Sequence, residues 1–353
     1  MPDIVLRPHQ QKIVESVLEK FARNERFALV VAAVASGKSY AAAAIAKGFN
    51  RVVVLQPSIE LMKQNHKSFE NMGIKNEMIN GNIKGNWGAD VILTTANTLS
   101  RHLDEAVEPD LLIIDELHLQ HWGKMRKTIM RAWQKCKVFG MTATPHYYTQ
   151  EVRYKNGAMY SVTTCRAIAD GYFGDPVYKL DRETLKELGY GTDIKIQKMP
   201  VTKAREMHFA SPEMYWYIIN KHLDEVRRLL GMCKNAIIYC DGIKHAKFLA
   251  ENIQGIECVF GETPAKQRKD IVERFMKNET PYIATVGCLK LGFDKPDLEN
   301  IIILTNVNNP SNAEQQIGRL NRGTGTKYCY YNSTLNTMEP VVGAETWTEI
   351  KRF

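Results

Sequence analysis

The chain has 353 residues, of which 44% are hydrophobic and 24% charged, and its formal net charge is +8. This composition is typical of globular proteins, is long enough for two domains, and excludes a disordered, fibrous or membrane-spanning chain. The basic charge is compatible with a polyanionic partner, and an N-terminus without a signal-peptide core predicts a cytoplasmic protein.

Apolar strands alternate with helical patterns in the first half of the chain. Strands are predicted at residues 27–33, 51–57, 90–95, 110–115 and 137–143. Helices are predicted between them, at residues 39–48, 58–73 and 96–107. This order is typical of βαβ units, in which helices cover both faces of a parallel sheet.

The same alternation begins again after residue 230. Strands are predicted at 235–240, 256–261, 281–287 and 299–306, and helices at 244–253 and 265–278. We therefore expect two α/β domains, the first at residues 1–172 and the second, with the connection, at 173–353. The connection at 146–200 is predicted to hold a β-ribbon and short helical stretches at 161–170 and 182–188. Residues 326–331, TKYCYY, are predicted as an edge strand.

A candidate phosphate loop lies between the first strand and the helix that follows it. Its sequence is AVASGKS, residues 33–39, and a helix N-terminus at this place favours an anion. Gly37 gives flexibility, Lys38 can reach β- and γ-phosphates, and the Ser39 hydroxyl can coordinate magnesium. Ala32 and Ala35 stand where such loops usually have glycines, so an ordinary Ser-Gly turn remains the alternative.

Acidic residues follow the apolar run LLII. Asp115 and Glu116 therefore lie at the carboxyl end of a buried strand, where open α/β sheets bind ligands. Asp115 can hold a metal ion, and Glu116 can orient or deprotonate an attacking water. A strand-end turn with solvated acids is the alternative. After the next strand, Thr142 and Thr144 form either a structural turn or a link between the nucleotide site and the second domain.

The segment QQIGRLNR, residues 315–322, offers two guanidinium groups. Arg319 and Arg322 are spaced i and i+3, so on a helix they face the same side. Together they suit the charge of a γ-phosphoryl group that leaves ADP. A solvated basic helix end is the alternative.

Taken in order, these segments resemble the motifs of the superfamily 2 helicases. The matching segments are AVASGKS (I), LQPSIELMKQ (Ia), TTANTL (Ib), DELH (II), TAT (III), AIIYCDGIKHAKFLAENI (IV), TVGCLKLGFDKPD (V) and QQIGRLNR (VI). They cover nearly the whole chain in register. LRPHQQKIVESVL, IADGYFGDP and GETPAKQRKDIVERFMKNE are most similar to the RadD-type and phage UvsW-type DNA helicases.

The resemblance implies two tandem RecA-like P-loop domains, with ATP and Mg²⁺ as cofactors. It implies adenine recognition by Arg7 and Gln10, and catalytic roles for Lys38, Asp115, Glu116, Gln315, Arg319 and Arg322. Further nucleotide contacts are implied at Ser36, Gly37, Ser39, Gly292 and Asp294. Contacts with a nucleic-acid backbone are implied near Pro57, Thr95, Asn97, Gly261 and Thr285.

Two positions depart from the family pattern. Ala32 is normal for superfamily 2, whereas Ala35 stands where the family has glycine. Its methyl group either occupies an ordinary backbone conformation or strains a loop that requires positive φ. In motif V, Lys290 and Leu291 replace small hydroxyl residues, although Gly292 and Asp294 keep the main pattern.

By resemblance, we expect an ATP-dependent helicase or translocase that acts as a monomer on nucleic acid, with DNA favoured over RNA and no membrane partner. Replication, recombination or repair, with branched DNA as one substrate, is the expected setting. Three alternatives stay open: an RNA helicase, a nucleic-acid-binding module with a degenerate ATPase, and a P-loop NTPase unrelated to nucleic acid.

Overall fold

The structure is a computed structural model that describes residues 4–119, 122–155, 158–168, 171–199, 212–288, 295–305, 310–331 and 350–351. The chain divides into two compact units. Unit 1 contains Met1–Leu185 and Trp347–Phe353, and unit 2 contains Lys186–Thr346. In the described ranges, every helix is too short or too polar to cross a bilayer.

Unit 1 is built around a parallel sheet. Its strands are β1 (Phe27–Ala32), β2 (Val52–Gln56), β3 (Glu77–Ile79), β4 (Val91–Thr95), β5 (Leu111–Ile114), β6 (Lys137–Thr142), β7 (His146–Lys155), β8 (Ala158–Ala167) and β9 (Tyr178–Leu180). Its helices are α1 (Pro8–Ala22), α2 (Lys38–Ala46), α3 (Ile59–Asn71), α4 (Ala96–Leu99), α5 (Trp122–Ala132) and α6 (Arg182–Glu187). The sheet order is β3-β4-β2-β5-β6-β1-β9. Because these strands are parallel, their carboxyl ends share one edge.

The predicted strands of this sheet are confirmed, since each is an apolar run buried between helices. All four side chains of β5 are fully buried. The predicted helix at 96–107 is wrong beyond Leu99. There the Ser100 hydroxyl donates to the Asn97 carbonyl at 3.1 Å, and such a side-chain bond competes with continuation of the helix.

A long antiparallel ribbon follows the last motif of unit 1. Strands β7 and β8 pair from His146 opposite Ala167 to Lys155 opposite Ala158, which confirms the predicted ribbon. The predicted helical stretch at 161–170 is wrong, because these residues belong mostly to β8. A short strand β16 (Ile350–Lys351) pairs with β8 on the other side.

Unit 2 contains a second parallel sheet. Its strands are β10 (Asp193–Lys198), β11 (Ala236–Tyr239), β12 (Ile256–Phe260), β13 (Tyr282–Val286), β14 (Asn300–Ile303) and β15 (Thr326–Tyr331), in the order β10-β15-β14-β11-β13-β12. Its helices are α7 (Pro212–Leu230), α8 (Ile243–Asn252), α9 (Ala265–Met276) and α10 (Pro310–Ile317), followed by a 3-10 turn at Gly318–Leu320. The predicted fold class, α/β with two parallel-sheet domains, is confirmed.

Two predictions about the borders of the units need correction. The segment TKYCYY forms β15, but it lies between β10 and β14 rather than at the edge. The boundary between the units lies after Leu185 rather than after residue 172. The reason is that β9 pairs with β1, so the chain returns to the first sheet before it enters the second.

Candidate active site

The phosphate loop has the geometry expected of an anion site. Gly37 has a φ of +78° and is the N-cap residue of α2, so the first N–H groups of that helix lack helical partners. The Lys38 ammonium donates to the carbonyls of Ala32 at 2.8 Å and Ala33 at 3.2 Å. The lysine therefore lies across the end of β1, at the mouth of the loop.

Ala35 adopts a left-handed backbone conformation, with a φ of +69°. For a residue with a Cβ atom this conformation costs about 1–2 kcal/mol, whereas glycine adopts it freely. The positive φ thus favours a strained loop at Ala35 over an ordinary backbone conformation. The other residues with positive φ, apart from glycines, are Asn24, Glu116 and Asn278 in the described ranges, and Asn tolerates this region well.

Helix α1 holds the phosphate loop from behind. The His9 Nε2 atom lies 2.8 Å from the Ser36 carbonyl, and the Gln10 amide donates to the same oxygen at 3.2 Å. Burial lowers the pKa of His9, so its ring is neutral and donates through Nε2–H. A Cβ atom at Gly37 would overlap the Gln10 amide, so a larger residue there would displace this side chain as well as strain the positive φ. His9 lies outside the residues that the motifs predicted for the site.

The predicted adenine contacts remain predictions. Arg7 is exposed, and its backbone N–H donates to the Gln10 Oε1 atom at 2.9 Å. Both ends of the Gln10 amide are thus engaged within the protein, one with the start of α1 and the other with the loop. Contact with adenine requires at least one of these bonds to be replaced.

Asp115 is buried beneath the loop. Its carboxylate accepts bonds from the Asn65 side chain at 3.0 Å and from the Glu116 backbone N–H at 2.9 Å. Burial, and secondly the charge of Glu116, raise the pKa of Asp115 to about 7, although the Lys38 charge acts in the opposite direction. A carboxylate destabilised in this way is well suited to a divalent cation, whose charge would favour the ionised form.

Ser36 gives a second sign that a polar ligand fits here. Its hydroxyl is buried and has no hydrogen-bond partner among the described residues, which is costly unless another group supplies one. Together with Lys38, Ser39 and Asp115, it provides the donors and the metal ligands that a magnesium nucleotide needs. The residues present therefore fit ATP and Mg²⁺.

Glu116 belongs to a polar chain that joins motifs II and III. Its φ is +48°, and its carboxylate lies 3.5 Å from the His118 Nδ1 atom. That nitrogen is 2.8 Å from the Thr142 hydroxyl, which itself donates to the Thr144 carbonyl at 2.9 Å. The Thr142 hydroxyl proton points at the Thr144 carbonyl, so the hydroxyl oxygen can only accept from His118. The ring of His118 therefore donates through Nδ1–H. Thr142 thus connects the acidic pair with the end of β6.

The arginine segment of unit 2 is only partly helical. Helix α10 ends at Ile317, and Arg319 lies in the 3-10 turn, whereas Arg322 lies beyond it. The prediction of one helix face for both arginines is therefore wrong, because Gly318 weakens the helix at this point. Arg319 is only 8% exposed and hydrogen-bonds the Tyr239 hydroxyl. Gln315 is likewise buried, and Arg322 is half-buried.

The predicted nucleic-acid contacts fall into two groups. Pro57, Thr95, Asn97 and Gly261 follow strands at carboxyl edges and reach the surface at least in part. Thr285 differs from them, because it is fully buried and its hydroxyl donates to the Val259 carbonyl at 2.9 Å. Its side chain therefore bonds within the sheet, and a phosphate contact near this residue remains a prediction.

Part of motif V cannot be compared with the predictions. Gly292 and Asp294, with Lys290 and Leu291, lie outside the described residues.

Two family models match the chain. One, described as "Type III restriction enzyme, res subunit", matches residues 3–147, and the other, "Helicase conserved C-terminal domain", matches residues 221–324. A search of curated proteins finds no match. The first model lies within unit 1 and includes motifs I to III, and the second lies within unit 2 and includes motifs IV to VI.

The chain is similar in fold to several solved helicase structures. The ATP-dependent Type ISP restriction-modification enzyme LlaBIII bound to DNA matches with a TM-score of 0.72 and 19% identity, over 94% of this chain and 28% of that chain. S. cerevisiae Dbp5 bound to RNA and ADP BeF3 matches with a TM-score of 0.63 and 16% identity, over 96% and 90%. The DUF1998 helicase MrfA bound to DNA matches with a TM-score of 0.62 and 16% identity, over 95% and 47%.

The chain thus spans only 28% of the length of the restriction enzyme. With the family models, the shared fold and the order of the motifs in agreement, the chain belongs to the superfamily 2 helicases, a family of ATP-dependent enzymes.

Proposed function

We propose that the chain is an ATP-driven helicase or translocase that moves along DNA. The observation that carries this proposal is the cluster at one edge of the first sheet. There the Lys38 ammonium, the buried Asp115 carboxylate and the strained Glu116 lie together at the start of α2. This is the set of groups that phosphoryl transfer to water requires.

Each residue has a defined task in this proposal. Lys38 and the N–H groups of α2 bind the β- and γ-phosphates, while Ser39 and Asp115 hold the metal ion, which neutralises developing charge when it is bound. Glu116 takes a proton from the attacking water, and His118 keeps its carboxylate in place. Arg319 and Arg322 of unit 2 stabilise the charge on the transferred group.

The choice of DNA rests on resemblance. The segments IADGYFGDP and CLKLGFDKPD are most similar to DNA helicases, and LlaBIII and MrfA, which share the fold, were solved bound to DNA. Dbp5 was solved bound to RNA, so an RNA helicase is the first alternative. A surface that grips backbone phosphates carries little sequence information and accepts both polymers to some degree.

A nucleic-acid-binding module with a degenerate ATPase is the second candidate. Ala35 favours it, because an alanine with a positive φ stands where the family has glycine in the phosphate loop. The two candidates differ in turnover. The motor hydrolyses ATP faster when nucleic acid is added, whereas the binding module holds the polymer without hydrolysis.

One assay tests the proposal. ATP hydrolysis would be measured with single-stranded DNA, duplex, fork, four-way junction and RNA in parallel, for the wild type and for Lys38→Ala. We expect stimulation by DNA that exceeds stimulation by RNA, and loss of it in the variant. Stronger stimulation by RNA would reassign the substrate. Binding without stimulated hydrolysis would support the degenerate module, and binding that does not weaken as salt rises would argue against a phosphate-gripping surface.

A further inference from the structure

The connection between the units leads directly to the turn that carries the arginines. The boundary between the units falls within α6, after Leu185. Soon after this helix the chain reaches Thr192, which contacts the end of the 3-10 turn at Gly318–Leu320. The segment 186–193, which we name the connector, therefore links the last residues of unit 1 to motif VI through a short stretch of chain.

Two hydrogen bonds fix Thr192 to this turn. Its hydroxyl donates to the Leu320 carbonyl at 2.6 Å, and its backbone N–H donates to the Asn321 Oδ1 atom at 3.0 Å. Thr192 is 4% exposed and Asn321 1%, so water does not replace these bonds at low cost. The two partners of Thr192 are the residues that separate Arg319 from Arg322.

The packing around these bonds leaves no free space. A Cβ atom at Gly191 would lie 2.9 Å from the Asn321 Oδ1 atom and 2.9 Å from the Lys186 backbone nitrogen, so the backbone at Gly191 packs closely against the Asn321 side chain and the Lys186 backbone. The first and last residues of the connector also pair, since the Lys186 ammonium donates to the Asp193 carboxylate at 2.5 Å. The connector is thus held as one piece against the arginine turn.

We propose that Thr192 is a positioning residue for the arginines and that the connector determines where Arg319 and Arg322 point. The hydroxyl fixes the Leu320 carbonyl, and this fixes the backbone between the two arginines. A displacement of a charged group by about 1 Å can cost up to 100-fold in rate. This inference rests on the proposed function, because it requires the arginines to act on the γ-phosphoryl group.

The test uses three substitutions in the full chain. Thr192→Val removes the hydroxyl at nearly constant volume, and Thr192→Ser keeps the hydroxyl. Thr280→Val is the matched control, because Thr280 is also 4% exposed in unit 2 and its hydroxyl also donates a bond of 2.6 Å, to Glu257. For each variant we would measure thermal stability, DNA-stimulated kcat, the Kd for ADP and the Kd for ADP with tetrafluoroaluminate, a mimic of the transferred group.

We expect Thr192→Val to lower kcat about tenfold and to weaken the ADP–tetrafluoroaluminate complex similarly, with the Kd for ADP unchanged. Thr192→Ser should be close to the wild type, and Thr280→Val should lose stability but keep its kcat. Equal losses of kcat in the two valine variants, or a serine variant as slow as Thr192→Val, would overturn the inference. If Thr192→Val fails to fold, Thr192→Ala replaces it in the same comparison.

Failure of the proposed function gives a different result. In that case Arg322→Ala keeps the full DNA-stimulated rate, or the wild type shows no such rate. When Arg322→Ala is slow and Thr192→Val is normal, the motor stands and only the role of Thr192 is rejected.

Discussion

The two units share one strand order, but the candidate nucleotide site is built on the first. Without its edge strand β9, unit 1 has the order β1-β6-β5-β2-β4-β3, and unit 2 has β10-β15-β14-β11-β13-β12. Numbered from the first strand of each unit, these two orders are identical. Strand β1, which leads into the phosphate loop, thus corresponds to β10, and β5, which precedes Asp115, corresponds to β14.

The corresponding strands differ in burial. Strand β1 (FALVVA) lies between β6 and β9 and is largely buried. Among the described residues, β10 (DIKIQK) pairs with β15 alone and exposes Lys195 and Lys198. A strand bonded on both sides gives a rigid base for a strained loop, which an edge strand does not.

The carboxyl ends of β5 and β14 also differ. Strand β5 is followed by two acids, and β14 by Leu304 and Thr305. The strand order thus determines where a site can lie, and the residues after the strands determine its chemistry.

The largest effect is expected for the lysine of the loop. Lys38→Ala should reduce ATP hydrolysis at least about 100-fold, because it removes a charge that stabilises the transferred phosphate. Lys244→Ala is the control, since Lys244 is exposed near the start of α8 in unit 2, and it should stay near the wild-type rate. Steady-state phosphate release measures both. A comparable loss in the two variants would contradict a specific role of Lys38 in phosphate binding.

Glu116→Gln should retain ATP binding and lose most hydrolysis, again about 100-fold. The amide cannot accept a proton from water, whereas the metal ligand Asp115 is unchanged. Nucleotide affinity and single-turnover hydrolysis would be measured together. Near-normal turnover with an intact fold would reject the catalytic role of Glu116. The functional difference between the ends of β5 and β14 would then rest on Asp115.

Acid should destabilise unit 2 through two buried histidines. His222 and His245 stack with ring centroids 5.2 Å apart, and burial lowers the pKa of His222 to about 4 and that of His245 to about 3. Both values lie below the ordinary 6.5. The stabilisation that depends on these neutral rings is therefore fully present above pH 6.5 and is lost as the pH falls towards 4. At pH 5 each histidine should cost at most about 2 kcal/mol of unfolding free energy.

Denaturant unfolding at pH 7.5 and pH 5 measures this loss. His245→Leu should reduce the difference between the two pH values, whereas His102→Leu, at an exposed position of unit 1, should not. An unchanged difference in His245→Leu would show that other groups cause the acid sensitivity.

Asn65→Leu should lower the rate about tenfold at limiting Mg²⁺, with partial recovery at high Mg²⁺. The substitution removes the bond that orients Asp115, and the loss of such a supporting partner typically costs 10- to 100-fold in metal affinity or activity. Asn71→Leu is the control on the same helix, because Asn71 bonds the Tyr40 hydroxyl instead. Equal Mg²⁺ requirements in the two variants would assign Asn65 a purely structural role.

The smallest effect is expected at Ala35. The strain exists already without nucleotide, so Ala35→Gly should raise the melting temperature of unit 1 by about 2 °C, after the entropy that glycine adds to the unfolded chain is subtracted. The Kd for ATP should fall only if the loop with bound nucleotide is more strained at this residue than the loop without nucleotide. Asn24→Gly, with a φ of +63° in the wild type, should gain less. An unchanged melting temperature would show that the methyl group costs nothing.

Much of the fold could be predicted because its strands are continuous apolar runs. Residues 110–115 are an example, and the alternation with helices also predicted the parallel order. The ribbon strand β8 was partly misassigned because its pairing with β7, and not its own pattern, decides its structure. The end of α10 was missed for a similar reason, since Thr192 and Tyr239, both distant in sequence, hold the arginine turn.

The supporting residues of the site left a weaker signal. Asn65 lies between Met62 and Phe69 on the buried stripe of α3, and His9 begins the buried stripe of α1 that continues with Ile13 and Val17. A polar residue in an apolar helical stripe indicates a buried partner. Its identity could not be predicted, because the contacts with Asp115 and Ser36 depend on how the helices pack on the sheet.

The bonds of Lys38 have a consequence for the speed of nucleotide capture. Its ammonium holds the carbonyls of Ala32 and Ala33 and must release both before it can meet a phosphate. Association should therefore contain a first-order step after the initial encounter.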